Sequence, residues 1–301
     1  MVLALALVCI FTLGYLAQTT GLCLIRGVKE SIEGKYEFLM AILLSGSLSW
    51  VAFYFANFLS SPMQAPSFAA NLWFALGGVI FGIGSALNQG CGVSTLSKLS
   101  RGDVKMFATM TGWLFGWFLL ALWSPNIELI KSSYDSKIIN IALAVLSVVI
   151  VIWALAGNKE RKKLWFSMLA IGLIASFLFL YERHWTPSSL LHHISDALIK
   201  NEQTSFPSIE RYILFLSLIS GMFIAAWRTK RFQYESVDIK GIAIHLSAGT
   251  FMRLGAAIAL GGNDTQLLVF LPTMSLASIL TMVSMLVGIR IGIAIHSYVN
   301  N

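Results

Sequence analysis

The sequence predicts an all-α integral membrane protein, with about nine transmembrane helices and short re-entrant or half helices forming two inverted four-helix repeats around a central pore. Three observations lead there. Of the 301 residues, 57% are hydrophobic and 12% charged, with a mean hydropathy of +0.76, against roughly 45–50% apolar usage in soluble domains. Apolar stretches long enough to cross a bilayer recur along the whole chain. Sliding the chain along itself by 171 positions superposes Gly78, Gly84, Gly90, Ser94 and Leu96 on Gly249, Gly255, Gly261, Thr265 and Leu267, with Cys91 falling on Gly262.

The apolar stretches lie near 1–17, 37–58, 68–88, 104–123, 138–156, 164–181, 210–227, 241–260 and 274–296, each close to the ~20 residues that span the hydrocarbon core. A soluble globule of this length is excluded, because 21 cations and 14 anions are too few to coat it. No basic segment precedes the first stretch and no cleavage site comes after it, so it reads as a retained span. The net charge of +7 has a topological distribution. Arg26, Lys29 and Lys35, then Lys98, Arg101 and Lys105, then Lys159, Arg161, Lys162 and Lys163, then Arg228, Lys230, Arg231 and Lys240 come after spans one, three, five and seven. The intervening loops hold few cations, so the N-terminus is expected outside and the C-terminus in the cytoplasm. Topology accounts for the charge without nucleic acid, and the partner that the apolar spans imply is the lipid bilayer.

The 171-residue offset carries span three onto span eight, five crossings later, so the repeats should lie in opposite orientations. The chain then divides, within one transmembrane domain of residues 1–301, into a first repeat (1–130), a connector (131–160) and a second repeat (161–301). Folds of this kind place substrates near the midplane, where interrupted helices from both halves meet. Two runs fit such interruptions: Asn88-Gln89-Gly90-Cys91-Gly92 and Gly261-Gly262-Asn263-Asp264-Thr265. Neither suits lipid, where irregular backbone goes unsatisfied. The apolar pieces after them, 93–100 and 265–271, are too short to cross and read as half helices. The repeated glycines also suit plain helix packing. In the sixth loop, Leu190, Leu191, Ile194, Ala197 and Leu198 share one face of a helix opened by Pro187, expected on the outer membrane surface. His184, His192 and His193 read there as solvated histidines.

Cys23 ends the first span in QTTGLCLIRG, and Cys91 ends the third beside Gly90 and Gly92. Each thiol has polar neighbours and a nearby cation, Arg26 or Arg101. Cys9, within an apolar run, reads as packing. Arg253 falls midway along span eight, where insertion scales assign arginine a cost of about 2.5–3.5 kcal/mol; such a residue faces the protein interior and meets an anion, an acid such as Asp264, or backbone carbonyls. His245 reads as a hydrogen-bonded helix residue. The three cysteines have no CxxC or zinc-like spacing, and no nucleotide loop, catalytic carboxylate pair or nucleophile triad is present. No enzyme, metal or cofactor is expected. The candidate site is Asn88, Gln89, Gly90, Cys91 and Gly92 with Cys23, Arg253, Gly261, Gly262 and Asn263.

The segments TGLCLIRG (20–27), FGIGSALNQGCGVSTL (81–96) and GTFMRLGAAIALGGND (249–264) together resemble the YeeE/YedE family of bacterial sulphur-transport proteins, the thiosulfate transporters. The resemblance implies an inner-membrane protein with an hourglass-like interior that admits thiosulfate for sulphur assimilation, its pore cysteines relaying the anion inward through S–H hydrogen bonds. Cys23 and Cys91 match two of those positions. The third, in a Gly-Cys-Asn motif of the second half, is Gly261-Gly262-Asn263 here. The substrate is then thiosulfate or a related small sulphur anion. A thiol-redox role, or docking of a cytoplasmic sulphur-carrier protein on the basic loops, remains as an alternative.

Overall fold

The computed structural model describes residues 2–58, 67–123, 129–132, 135–183, 185–200, 206–235 and 239–300. The chain is all-α. In order come α1 (Val2–Thr20), α2 (Leu24–Ile32), α3 (Glu37–Leu43), a 3₁₀ turn at Ser45–Leu48, α4 (Ser49–Phe58), α5 (Leu72–Leu87), α6 (Gly92–Leu99), α7 (Met106–Trp123) and α8 (Ser136–Leu155). Next are α9 (Lys159–Tyr181), α10 (Pro187–Lys200), α11 (Ile209–Arg228), α12 (Ile239–Ile258), the single turn α13 (Asn263–Thr265) running into π and 3₁₀ turns to Thr273, and α14 (Leu276–Asn300). One short antiparallel pair, β1 (Ser67–Phe68) with β2 (Lys131–Ser132), ties the α4–α5 and α7–α8 links together.

Among the described residues, eight helical stretches are long and apolar enough to cross a membrane. The ninth expected span corresponds to α7, whose apolar run Met106–Leu120 is shorter. On α8 the side chains of Ile138, Ile141, Val145, Val149 and Ile152 are exposed, the pattern of a helix whose outer face meets lipid rather than water.

The second span is not the continuous helix that 37–58 predicts. It breaks into α3, the 3₁₀ turn and α4, and Gly172 of α9 lets the Ser45 carbonyl approach closely there, where a Cβ would collide with it. Two hydrogen bonds hold the bent segment, Ser49 Oγ with Ser176 Oγ at 2.7 Å and Trp50 Nε1 to Ser147 Oγ at 3.1 Å.

Close packing by small residues organises the centre, as expected where lipid removes the hydrophobic drive between helices. Helix α5 packs against both α12 and α14, and α12 packs in turn against α7. A Cβ on Gly84 would stand 2.7 Å from the Met252 amide nitrogen, and one on Gly78 would stand 2.6 Å from the Thr281 carbonyl oxygen. The glycines therefore serve packing as well as the breaks. Around this group α1 lies against α11 and α9, and α9 lies against α4 and the 3₁₀ turn.

Helix α10 forms where the amphipathic pattern predicts it, with one side against the protein and His193 exposed. The helix packs on α6, α7, α11 and α13, burying Leu190 and Ala197. Leu191 and Ile194 on that face are half-buried, and the start of the helix sets Thr186 and Ser188 against α13.

Candidate functional site

Two helix ends share one backbone design. At the end of α5, Asn88 N donates to Gly84 O, Gln89 N to Ala86 O and Gly90 N to Ser85 O, each at 2.9 Å. At the end of α12, Ala259 N donates to Gly255 O at 3.0 Å, Leu260 N to Ala257 O at 3.4 Å and Gly261 N to Ala256 O at 2.7 Å. The closing six-residue bond satisfies carbonyls that a helix end otherwise orphans. Gln89 and Leu260 occupy the left-handed region, at φ +54° and +59°, a conformation that costs non-glycine residues about 1–2 kcal/mol. Each turn delivers an extended N-cap to a new helix: Cys91 at φ −78°, ψ −177° and Gly262 at φ −72°, ψ −178°.

Cys91 is 1% exposed. Its sulfur lies 3.4 Å from Ser94 Oγ, which donates onward to Leu22 O at 3.2 Å. The backbone amides of Ser94 and Leu24 lie within electrostatic reach of that sulfur. The first turns of α6 and α2 thus converge on one thiol. Cys23, half-buried, is the N-cap of α2 and lies within electrostatic reach of both Cys91 and Lys98.

Facing Gly92 and Gly262 stands Ser188, which sequence reasoning missed. Its Oγ is 3.6 Å from where a Cβ on Gly92 would be and 3.1 Å from where one on Gly262 would be. It donates to Asp264 Oδ1 at 2.8 Å, and its backbone amide reaches Asp264 Oδ2 at 3.4 Å. Asp264 is 4% exposed, and Thr186 bonds Thr265 at 3.1 Å alongside it. Asn263 is buried, and its Oδ1 has no hydrogen-bond partner among the described residues. An orphaned buried acceptor of this kind calls for a missing partner.

A cavity of about 250 Å3 adjoins this point, with Gly92, Ser188, Met110, Trp117, Met252 and Arg253 in its wall. Arg253 is 8% exposed and holds its guanidinium 3.9 Å from the centre of the Trp117 ring, a contact worth about 2 kcal/mol when desolvated. Gly116 allows the approach, since a Cβ there would stand 2.8 Å from Arg253 Cβ.

The polar residues of the first turn are mostly spent on the turn itself. Asn88 is fully buried; its Nδ2 donates to Gly90 O at 2.9 Å and Thr95 Oγ1 at 2.8 Å, and its Oδ1 meets Thr109 Oγ1 at 2.6 Å and His245 Nδ1 at 2.8 Å. Gln89 points away, to His296 Nε2 at 3.2 Å. Gly90 and Gly261 give the turns their room, Gly261 at φ +147°, a region that favours glycine. The structure therefore gathers Cys91, Gly92, Cys23, Gly262 and Asn263 with Ser188 and Asp264, sets Arg253 on the adjoining wall, and leaves Asn88 and Gln89 as supports.

Among the described residues no group of three His, Cys, Asp or Glu side chains is placed to hold a metal ion. His184 and the His192 side chain lie outside the described residues, and His193 is exposed.

A family model described as sulphur transport matches residues 21–291, a stretch that contains both turns, α2 and α10. No curated protein matches the chain.

Proposed function

The chain belongs to the sulphur transport family, and from that premise we propose that it is a permease or channel-like transporter taking up a small sulphur-containing anion, most directly thiosulfate, along the thiols Cys91 and Cys23. The observation that carries the reading is the buried Cys91 sulfur set at the start of α6 and tied through Ser94 Oγ to the Leu22 carbonyl just before α2. Backbone N–H groups at helix starts form ready-made anion sites, since the helix dipole adds positive potential there.

In this reading a dianion enters the cavity walled by Arg253, whose charge offsets part of the cost of leaving water. It passes Ser188 and Gly92 to Cys91, where the S–H and the amides of α6 and α2 replace lost hydration. Cys23 receives it next, close to Lys98. Weak donors in series suit passage, because a site must bind well enough to admit the ion and loosely enough to release it. The matched turns at Cys91 and Gly262 support two inverted halves, and the cation distribution supports an N-terminus outside and a C-terminus in the cytoplasm of a bacterial cell membrane. A cytoplasmic sulphur-carrier protein is the recipient that the basic face would suit.

One observation favours a second substrate reading. Where the first half has a thiol, the second has Gly262 with the Ser188 hydroxyl and Asp264 carboxylate packed beside it. A carboxylate next to the path selects against some anions, so a sulphur anion other than thiosulfate is the alternative. Uptake of sulphur-labelled thiosulfate into proteoliposomes, with sulfate and sulfite as competitors, separates these readings. Saturable thiosulfate uptake lost in Cys91→Ala is the expected result. Uptake that survives the substitution removes the thiol relay, and transport of a competitor in place of thiosulfate reassigns the substrate.

A further inference from the structure

Next to the first turn lies a second, polar cavity of about 310 Å3, lined by the cations Lys98, Arg101, Lys105 and Arg231, by the acids Asp103 and Glu235, and by Gln89, Gln233 and His245. Its cations come from separate pieces of chain, which the fold draws together. Gln233 N donates to Arg101 O at 2.9 Å and Glu235 N to Gly102 O at 3.4 Å, so the α11–α12 link is zipped onto the α6–α7 link. Gly102 makes this possible, at φ +101° with the Gln233 carbonyl oxygen 2.7 Å from where its Cβ would be.

The charges in this cavity do not cancel. Glu235 is engaged by Lys105 at 3.0 Å, and the buried Asp103 accepts from the Lys105 amide at 3.2 Å. No ion pair between described residues engages Lys98, Arg101 or Arg231. Lys98, half-buried, donates to Asn88 O at 3.4 Å and so reaches the turn that carries Cys91. A solvated loop spreads like charges apart. Here a concave wall concentrates them, which raises the local concentration of anions.

We infer that this cavity is a binding site for a small doubly charged oxyanion or thio-oxyanion, held by Lys98, Arg101 and Arg231 at the mouth beyond Cys23. The inference rests on the transport reading and adds a station to it. An anion leaving the weak thiol donors meets fixed positive charge and water at once, so release from Cys23 is downhill.

Sided exchange tests this. Wild type, Lys98→Met, the double variant Arg101→Gln/Arg231→Gln and the charge-keeping Arg231→Lys are reconstituted in phosphatidylcholine, with and without phosphatidylglycerol. Orientation is set by capture of a C-terminal tag, since the bond of His296 to Gln89 puts that helix end on the cavity's face. Labelled thiosulfate is exchanged against graded unlabelled thiosulfate on each face. The expected result is a half-saturating concentration raised about tenfold on the cavity face by Lys98→Met and by the double variant. The opposite face and Arg231→Lys stay at wild-type values. Wild-type exchange that the variants leave unchanged, or weaken equally on both faces, overturns the site. An effect confined to phosphatidylglycerol membranes overturns it in favour of a lipid headgroup. If wild type exchanges no thiosulfate, the transport reading fails, and equilibrium binding of labelled sulfate to solubilised protein decides the site alone. Binding lost in the double variant supports it and no wild-type binding overturns it.

Discussion

At the end of α5 the Asn88 side chain reaches forward to Thr95, while at the end of α12, 171 residues on, Gln266 reaches back to the carbonyl of Ala259 at 2.6 Å. Asn88 corresponds to Ala259 and Thr95 to Gln266, so both turns are clamped between the same two positions from opposite ends. The backbone hydrogen bonds are the same at each step. The chemistry that the turns display is not. Cys91 corresponds to Gly262, Val93 to Asp264 and Lys98 to Val269, giving the first turn a thiol and a cation and the second a buried carboxylate. The turn is therefore a scaffold whose backbone bonds and glycines are required, whereas the clamp can be replaced and the displayed groups are free to diverge.

The largest effects should come from the features the halves share. Gly84→Leu and Gly255→Leu each drive a side chain into the facing backbone, at Met252 N in one case and Phe81 N in the other. Neither helix can retreat without opening α5 from α12. We expect both variants to yield no monodisperse protein in detergent, beyond the roughly 1–3 kcal/mol of ordinary overpacking. A well-behaved Gly255→Leu protein beside a lost Gly84→Leu one would show that only the first half needs the close approach.

The clamps should rank next, and unequally. Asn88→Ala removes bonds to Gly90 O, Thr95, Thr109 and His245, all buried or half-buried, and should cost about 2–4 kcal/mol. Gln266→Ala removes one bond to Ala259 O and should cost about 1–2 kcal/mol. Denaturant unfolding of the two variants measures the ratio. Equal losses would mean that Thr109 and His245 contribute nothing to the first turn.

Much of this architecture is legible in the sequence, for physical reasons. The spans stand out because lipid demands long apolar runs, and the breaks because glycine beside amide side chains is unusual at that depth. The offset of 171 holds to the single residue at the turns, since a helix end cannot gain or lose a residue without rotating the helix after it. Arg253 is legible as interior from its cost alone. The position of α10 is not, because an apolar helix face looks alike whether lipid or other helices cover it. Ser188 is hidden with it, although Pro187-Ser-Ser marks a helix start. Thr109 and His245 lie 21 and 157 residues from Asn88, and no periodicity links them. The break in the second span is also silent, since Ser45-Gly46-Ser47 occurs as readily in unbroken helices and the segment it packs on, at Gly172, is far away in the sequence.

A smaller effect tests whether the second turn has been filled rather than merely emptied. Gly262→Cys would place its Cβ 2.9 Å from Asp264 Oδ1 and 3.1 Å from Ser188 Oγ. These side chains must then move apart, at about 1–2 kcal/mol. Ser188→Gly in the same protein should recover part of that loss by making room. If Gly262→Cys leaves the thermal midpoint unchanged, the position is empty and the resemblance of the two halves is closer than their side chains suggest.

The smallest effect belongs to the ion pair that joins the α6–α7 link of the first half to the α11–α12 link of the second. Lys105 donates to Glu235 and holds its carboxyl below the usual carboxylate range, with burial opposing more weakly. A pKa lowered by folding contributes stability above the unfolded value, and that contribution is lost as pH falls through the folded value. Glu235 is 54% exposed, so solvent screening limits the pair to roughly 0.2–1 kcal/mol. Glu235→Gln should therefore lower the thermal midpoint slightly at neutral pH and at low salt. The difference from wild type should shrink in high salt, and again as the pH drops below the carboxylate range, where wild type has lost the same charge. A difference that persists in acid would mean that the side chain of Glu235 acts through a contact the amide does not reproduce, rather than through its charge.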